Sequence, residues 1–305
     1  MLFTSLIFLS VLVSGVFSQN ILLTNDDGWA VAQIRAQNDA LKAAGFNVVL
    51  SAPAENESGT GSSTATPGPL SQPCEFNTCP TGSPAEGSDA NDDRLNYVNS
   101  FPVDAVRFGI QTLAPEFFGS APEFVVSGPN VGTNLGSGIT GSGTVGAACE
   151  AALEGIPSTA FSATSNSQVS FTTLTTNPTS TSTLAALLYA QLTTQFTQAL
   201  VSPASRPILP ADITLNVNFP STSGCSSASQ FKFVLTRLIS NSSATDVQTC
   251  GTTHLPVETK TTVVHSSGCF ASVSVIDART KKDVSAQTQA VVLNRLGSFL
   301  SCFTT

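Results

Sequence analysis

The chain has 305 residues, of which only 10% are charged, and its formal net charge at neutral pH is −8. That length is sufficient for one large domain with a substantial core. With only 12 Lys and Arg residues and no basic cluster, the composition argues against binding to nucleic acid polymers or anionic membranes. A small anionic substrate remains compatible with this charge if a metal ion reverses the local potential.

The first 18 residues, MLFTSLIFLSVLVSGVFS, predict a cleaved secretory signal peptide, because an apolar run is followed by small residues. The run is too short for a good membrane span, and no later segment approaches the length of one. We therefore expect a secreted protein whose mature chain, 19–305, is one domain. Its core is expected in 19–165, and a C-terminal part with an oligomerisation extension in 166–305. Two N-glycosylation sequons, which begin at Asn56 and Asn241, fit an exported glycoprotein.

Seven cysteines in an exported chain predict up to three disulfides and one free thiol. Cys74 and Cys79 enclose the short loop CEFNTC and are expected to pair. Cys149 lies in an alanine-rich helical segment and is the predicted free thiol. Four further cysteines are expected to form two bridges whose pairing the sequence leaves open: Cys225, Cys250, Cys269 and Cys302.

The chain begins with a strand, a helix and a second strand, predicted over Ile21–Thr24, Trp29–Ala44 and Phe46–Pro53. This order is typical of an α/β fold with a mainly parallel sheet flanked by helices. Later apolar runs predict strands at 94–100, 123–128, 156–163, 213–220, 230–239 and 270–278. Helical patterns cover 102–114, 180–196 and 285–300, and a further helix is expected to begin near Val145.

Three of these predicted strands are followed by polar loops, and loops at the carboxyl ends of parallel strands converge on ligands. Asp26 and Asp27 follow the first strand, Ser58 lies in the loop after the second, and Asn130 follows the strand at 123–128. Each residue alone also fits a turn or a helix cap. Together, two carboxylates, a hydroxyl and an amide oxygen suit one Mg²⁺ or Mn²⁺ ion, whereas few His and no Cys near these loops argue against zinc.

A glycine-rich segment supplies a second feature, because Ser142, Gly143 and Thr144 precede a predicted helix. Free backbone N–H groups at a helix N-terminus bind anions such as phosphate. The same segment contains G-x-G-x-x-G matches, but they lie too far beyond their strand for dinucleotide binding. The absence of a G-x-S-x-G motif argues against a standard serine hydrolase.

Five segments in order, ILLTNDDGWA, SAPAENESGTGSS, FVVSGPNVGTNLG, GSGTVGAACEAALEG and LPADITLNVNFP, resemble the SurE family, and the resemblance is closest to secreted fungal members. The resemblance implies a Rossmann-like core with a C-terminal β-hairpin and helix exchanged between subunits, in a homodimer or higher homo-oligomer. It also implies a metal-dependent phosphatase of the 5′/3′-nucleotidase or acid phosphatase type. The ion would be bound by Asp26, Asp27, Ser58 and Asn130, and the phosphate-side residues would be Asn134, Ser142, Gly143 and Thr144.

We therefore predict hydrolysis of phosphate monoesters, with nucleoside monophosphates as the expected substrates and Asp26, Asp27 and Asn134 as catalytic residues. The nucleophile is either water, with Asp26 as a candidate base, or an aspartate carboxylate, and water is preferred. The sequence departs from the family pattern in three places, which leave substrate choice open: WAVAQ after the Asp-Asp-Gly, the altered SFPVD segment and the long loop with two cysteines. The rival hypothesis is a non-catalytic secreted module with the same fold, which a glycan on Asn56, crowding Ser58, would favour.

Overall fold

The computed structural model describes residues 18–164, 167–264 and 268–304. The predicted signal peptide, residues 1–18, therefore lies almost entirely outside the described residues. Within these ranges, no helix is both long enough and apolar enough to cross a lipid bilayer.

Ten strands within the described residues form one sheet; eight of them match the predicted apolar runs, and the short polar strands at Glu86–Asp89 and Lys282–Asp283 were not predicted. Ile21, Leu22 and Leu23 are completely buried, which explains why this first strand reads as a continuous apolar run rather than an alternating one. The strands are β1 (Asn20–Thr24), β2 (Asn47–Pro53), β3 (Glu86–Asp89), β4 (Asp92–Val98), β5 (Phe124–Val131), β6 (Ser158–Ala163), β7 (Ile213–Phe219), β8 (Lys232–Thr236), β9 (Phe270–Asp277) and β10 (Lys282–Asp283).

The strand order across the sheet is β10-β9-β7-β6-β5-β1-β2-β4-β3, with β8 paired to β9. The central strands from β4 through β2, β1, β5 and β6 to β7 are all parallel. Antiparallel pairs occur toward the edges, between β3 and β4, β7 and β9, and β9 and β10. The predicted mainly parallel α/β sheet is confirmed.

Helices cover both faces of the sheet. Ile21 and Leu23 belong to the core cluster that contains Ile34 and Tyr189, whereas Leu22 belongs to the cluster around Val106. Because successive strand residues point to opposite faces, these clusters lie on opposite sides of the sheet. The helices are α1 (Ala32–Ala43), α2 (Pro102–Phe108), α3 (Ala114–Phe118), α4 (Gly143–Leu153), α5 (Thr173–Thr176), α6 (Thr181–Val201) and α7 (Ala286–Leu296), with a π-helical turn at Gly109–Leu113 between α2 and α3.

Two helices begin more than one residue away from the expected position. The first was predicted from Trp29 but begins at Ala32, because the Trp29 N–H donates to the Pro53 carbonyl (2.9 Å) and Val31 forms a β-bridge with Ser170. The helix predicted from about Val145 begins at Gly143, because the Ser142 hydroxyl accepts from the Val145 N–H at 3.1 Å and caps it.

The C-terminal part continues the same sheet through β7, β9 and β10. β9 and β10 form a short antiparallel hairpin, and α7 follows it. Exchange of these elements between subunits stays a prediction.

The predicted disulfide framework is confirmed. Cys74 pairs with Cys79, and the four C-terminal cysteines pair as Cys225–Cys269 and Cys250–Cys302. Cys149 is a free, buried thiol, and burial raises its pKa to about 12. Three disulfides indicate an oxidising, extracellular type of compartment.

Candidate active site

The loop after β1 carries two adjacent buried carboxylates, Asp26 and Asp27, which are 2% and 0% exposed. Asn25 closes this turn, because its side-chain amide donates to the Gly28 carbonyl at 2.9 Å and its oxygen accepts from the Gly28 N–H at 3.3 Å. Gly28 has φ +108°, a conformation that favours glycine. The sequence Asn-Asp-Asp-Gly therefore forms a tight turn that directs both carboxylates into the protein.

Asp26 lies against the N-terminus of α4. The Thr144 hydroxyl donates to Asp26 Oδ1, and a Cβ atom added to Gly143 would lie only 2.8 Å from the Asp26 Cβ. Burial raises the pKa of Asp26, while the hydrogen bonds from Thr144 and the backbone of Gly143 oppose that rise. The N-terminus of α4, which was predicted to bind a phosphate, thus also donates hydrogen bonds to a carboxylate of the protein itself.

Asp27 is held by the end of β5 and by the segment after β6. Its Oδ2 accepts from the Val131 N–H at 2.7 Å, and its Oδ1 accepts from Gln168 Nε2 at 2.6 Å. Burial raises the pKa of Asp27 well above its ordinary value, and the charge of Asp26 raises it further. No Lys or Arg among the described residues forms an ion pair with either aspartate. These carboxylates repel each other without a basic partner, which is the electrostatic situation that a bound cation relieves.

Asn130 lies beside this pair, at the end of β5 and next to Val131. Its Nδ2 donates to the Gly132 carbonyl at 2.8 Å, but its Oδ1 is buried and has no hydrogen-bond partner. Burying an amide oxygen without a hydrogen-bond donor costs free energy unless another electropositive group contacts that oxygen. A hard divalent cation fits that requirement, and the donor set here is oxygen only, as Mg²⁺ and Mn²⁺ prefer.

The loop after β2, which carries Ser58, contacts the aspartate turn. The Glu57 N–H donates to the Asp26 carbonyl at 2.8 Å, which ties this loop to the aspartate turn. Ser58 itself is exposed, and its hydroxyl donates to Asn56 Oδ1 at 2.7 Å. The structure thus brings together the loops that carry all four predicted metal ligands.

The predicted phosphate-side residues are already hydrogen-bonded. Asn134 Nδ2 donates to Ser162 Oγ at 2.7 Å, and the Asn134 N–H donates to Asn218 Oδ1 at 2.8 Å. The side chain of Ser142 caps α4, and that of Thr144 contacts Asp26. Contact with a phosphate would therefore depend on the remaining hydrogen-bonding capacity of these groups, and their role stays a prediction.

Two residues of the site, Gln168 and Glu75, are not among those predicted from the sequence. Gln168 follows β6, so the rule of converging strand ends could have indicated it. Glu75 lies in the loop closed by Cys74 and Cys79, which carried no functional signal. Its carboxylate packs directly against Gly28, where any Cβ would clash with it, and burial, with the nearby charge of Glu55, raises the Glu75 pKa to about 8.

Comparison with known proteins identifies a family and relatives of known fold. The family model described as "Survival protein SurE" matches residues 21–245. An acid phosphatase from Yarrowia lipolytica (strain CLIB 122 / E 150) is 34% identical over 309 residues, which cover 90% of this chain and 84% of that protein. A 5′-nucleotidase SurE from Aquifex aeolicus (strain VF5) is 37% identical over 150 residues, 49% of this chain and about half (52%) of that protein. The crystal structure of the SurE protein from Aquifex aeolicus superposes with a TM-score of 0.58 at 25% identity, covering 85% of this chain and 93% of that one.

Proposed function

Since the chain belongs to the SurE family, we propose that it is a secreted, divalent-metal-dependent phosphatase that hydrolyses phosphate monoesters, including nucleoside monophosphates. Two adjacent carboxylates, Asp26 and Asp27, are buried, and Asp27 accepts from the N–H of Val131, whose neighbour Asn130 has a buried amide oxygen without a donor. This observation carries the proposal. The names of the relatives, acid phosphatase and 5′-nucleotidase, support the same reaction class.

The ion of this proposal is Mg²⁺ or Mn²⁺, held by Asp26, Asp27, Ser58 and Asn130. Bound there, it would polarise the phosphorus centre and lower the pKa of a water molecule. Asp26, oriented by Thr144, is the proposed base that takes the proton from the attacking water. The N-terminus of α4 and Asn134 are proposed to offset charge that develops on the phosphate oxygens.

Phosphate release from a panel of monoesters, measured with Mg²⁺, with Mn²⁺ and with EDTA, tests the proposal. We expect Asp26→Asn and Asp27→Asn each to lower turnover by roughly 100-fold or more, because each removes a charged ligand of the ion. Asp39→Asn, at an exposed position on α1, is the matched control and should keep full turnover. Thermal unfolding of each variant checks that the fold is retained.

Full activity of both aspartate variants would refute the site. Release of phosphate from none of the esters, with any ion, would instead favour a non-catalytic binding module. Secretion and assembly into a homodimer or larger homo-oligomer are part of the same proposal. Light scattering of the purified protein measures the subunit number, and mass spectrometry shows whether Asn56 or Asn241 carries a glycan.

A further inference from the structure

A chain of hydrogen bonds between side chains joins Ser58 to Asp27. The Ser58 hydroxyl donates to Asn56 Oδ1 at 2.7 Å, Asn56 Nδ2 donates to Gln168 Oε1 at 3.0 Å, and Gln168 Nε2 donates to Asp27 Oδ1 at 2.6 Å. The chain crosses three loops, those after β1, β2 and β6. Its two ends are two of the four oxygen-bearing residues to which the proposed function assigns the cation.

Both ends of this chain fix the direction in which its amides must point. At one end, the backbone N–H of Ser58, which can only donate, also donates to Asn56 Oδ1 at 3.0 Å. At the other end, an ionised Asp27 carboxylate can only accept. The two amides between them must therefore turn their oxygens toward Ser58 and their NH₂ groups toward Asp27.

This direction determines what Ser58 can offer. Its proton is directed to Asn56, so both lone pairs of its hydroxyl oxygen remain available to a cation. Gln168 also fixes one oxygen of Asp27. The segment that carries Gln168 is anchored to the backbone of the first loop, because the Ala32 N–H donates to the Val169 carbonyl at 2.8 Å and the Phe171 N–H donates to the Ala30 carbonyl at 2.9 Å.

A second turn in the chain shows that the link to Gln168 is the distinctive part. Asn241 makes the same local contacts with Ser243, whose N–H and hydroxyl donate to Asn241 Oδ1 at 3.1 and 2.8 Å. The local turn is therefore a property of the Asn-x-Ser sequence wherever it occurs. Only the turn at Asn56 is coupled, through Gln168, to a buried carboxylate.

We propose that Asn56 and Gln168 are positioning residues that act as one unit: they align the Ser58 oxygen and the Asp27 carboxylate for the cation before it binds. This inference rests on the proposed function, since it concerns the same site. It assigns metal affinity to two residues that need not touch the ion. Residues that orient metal ligands typically contribute 10- to 100-fold in affinity.

The test measures the Kd for Mn²⁺ by calorimetry on the metal-free, full-length mature protein, produced in a bacterial periplasm so that the disulfides form without N-glycans. The variants are Gln168→Met, which keeps the volume but removes both hydrogen bonds, Asn56→Ala, and the double variant. Asn241→Ala is the matched control, because it removes the same local turn away from Gln168. Thermal unfolding midpoints verify that each variant is folded.

We expect each single variant to raise the Kd for Mn²⁺ by roughly 10-fold. The double variant should be about as weak as the weaker single one, because breaking one link already uncouples the unit. Asn241→Ala should bind as the wild type does, and turnover of the single variants should recover at saturating Mn²⁺.

A wild-type Kd in both folded variants, or effects that multiply in the double variant, would overturn this inference and leave the proposed function intact. If the wild-type protein does not bind Mn²⁺, or if Asp27→Asn leaves its Mn²⁺ binding unchanged, the proposed function is overturned, and this inference with it.

Discussion

Glu258 is completely buried beneath the segment that carries Asn134, and it gives the protein a predictable dependence of stability on pH. It accepts from the Gly136 N–H at 2.6 Å, from Ser274 Oγ at 2.8 Å and from Asn216 Nδ2 at 3.2 Å. Burial nevertheless raises its pKa from 4.5 to about 8, because these hydrogen bonds offset only part of the cost of a buried charge.

The direction of this pH dependence follows from which state, folded or unfolded, holds the proton on Glu258. Between pH 4.5 and about 8, the folded protein keeps a proton on Glu258 that the unfolded chain releases. The free energy of unfolding therefore contains a contribution that is fully present below pH 4.5 and is lost as the pH rises to 8. The loss is at most about 1.4 kcal/mol per pH unit, or about 5 kcal/mol over the window.

Glu258→Gln removes this titration while it keeps the shape of the side chain. We expect the free energy of unfolding of the variant, relative to wild type, to rise by up to about 5 kcal/mol between pH 4.5 and pH 8. Urea unfolding of the metal-free, disulfide-intact protein, followed by fluorescence of Trp29, the single tryptophan, measures it. Glu116→Gln, at an exposed position on α3, is the control. A difference between Glu258→Gln and wild type that is the same at every pH would refute the reasoning.

Two further predictions concern a glycine and a disulfide. Gly143→Ala places a methyl group 2.8 Å from the Asp26 Cβ and should lower kcat/KM for a phosphate ester at least roughly 10-fold. Gly138→Ala, whose methyl group meets no atom within 4 Å, is the control and should be neutral. Equal activity of the two variants would contradict the proposed role of Asp26 beside the helix. Replacing Cys250 and Cys302 by Ser opens a bridge that spans 52 positions. It should lower the free energy of unfolding by about 4 kcal/mol through loop entropy, and an unchanged urea midpoint would show that the bridge adds no stability.

The parts of the fold and site that were predictable from the sequence are those set by local pattern. Apolar runs such as Ile21–Leu23 become buried parallel strands because both faces of the sheet are covered. The rule that ligands bind beyond the carboxyl ends of such strands then brought the loops of Asp27, Ser58 and Asn130 to one place. The strand–helix–strand opening indicates that β1 and β2 are parallel neighbours, but the position of β5 beside β1 is known only from the structure.

The parts that were not predictable depend on packing between distant segments. Glu75 reaches Gly28 because a disulfide-closed loop folds over the first turn, and nothing in CEFNTC specifies that direction. The position of Gln168 after β6 indicates the correct edge of the sheet, but its contact with Asp27 depends on the pairing of its segment with residues near Ala32, which the sequence does not show. The glycine-rich segment before α4 could contact either a phosphate or Asp26. The sequence does not show that the absence of a side chain at Gly143 lets Asp26 approach the helix.

The two aspartates, although adjacent in sequence, face different surroundings, and this difference bears on their roles. Asp26 receives the Thr144 hydroxyl and backbone donors at the N-terminus of α4, so the protein itself supplies much of the positive potential that a carboxylate needs. Asp27 receives one N–H and one amide, yet burial and the charge of Asp26 still raise its pKa well above the ordinary range. Without a cation, the negative charge of the pair is therefore least well compensated at Asp27. A dication would compensate that charge and so gain most at Asp27, the carboxylate that Gln168 holds in place. In the proposed reaction the cation therefore binds chiefly to Asp27, and Asp26 is the carboxylate to which the role of base is assigned.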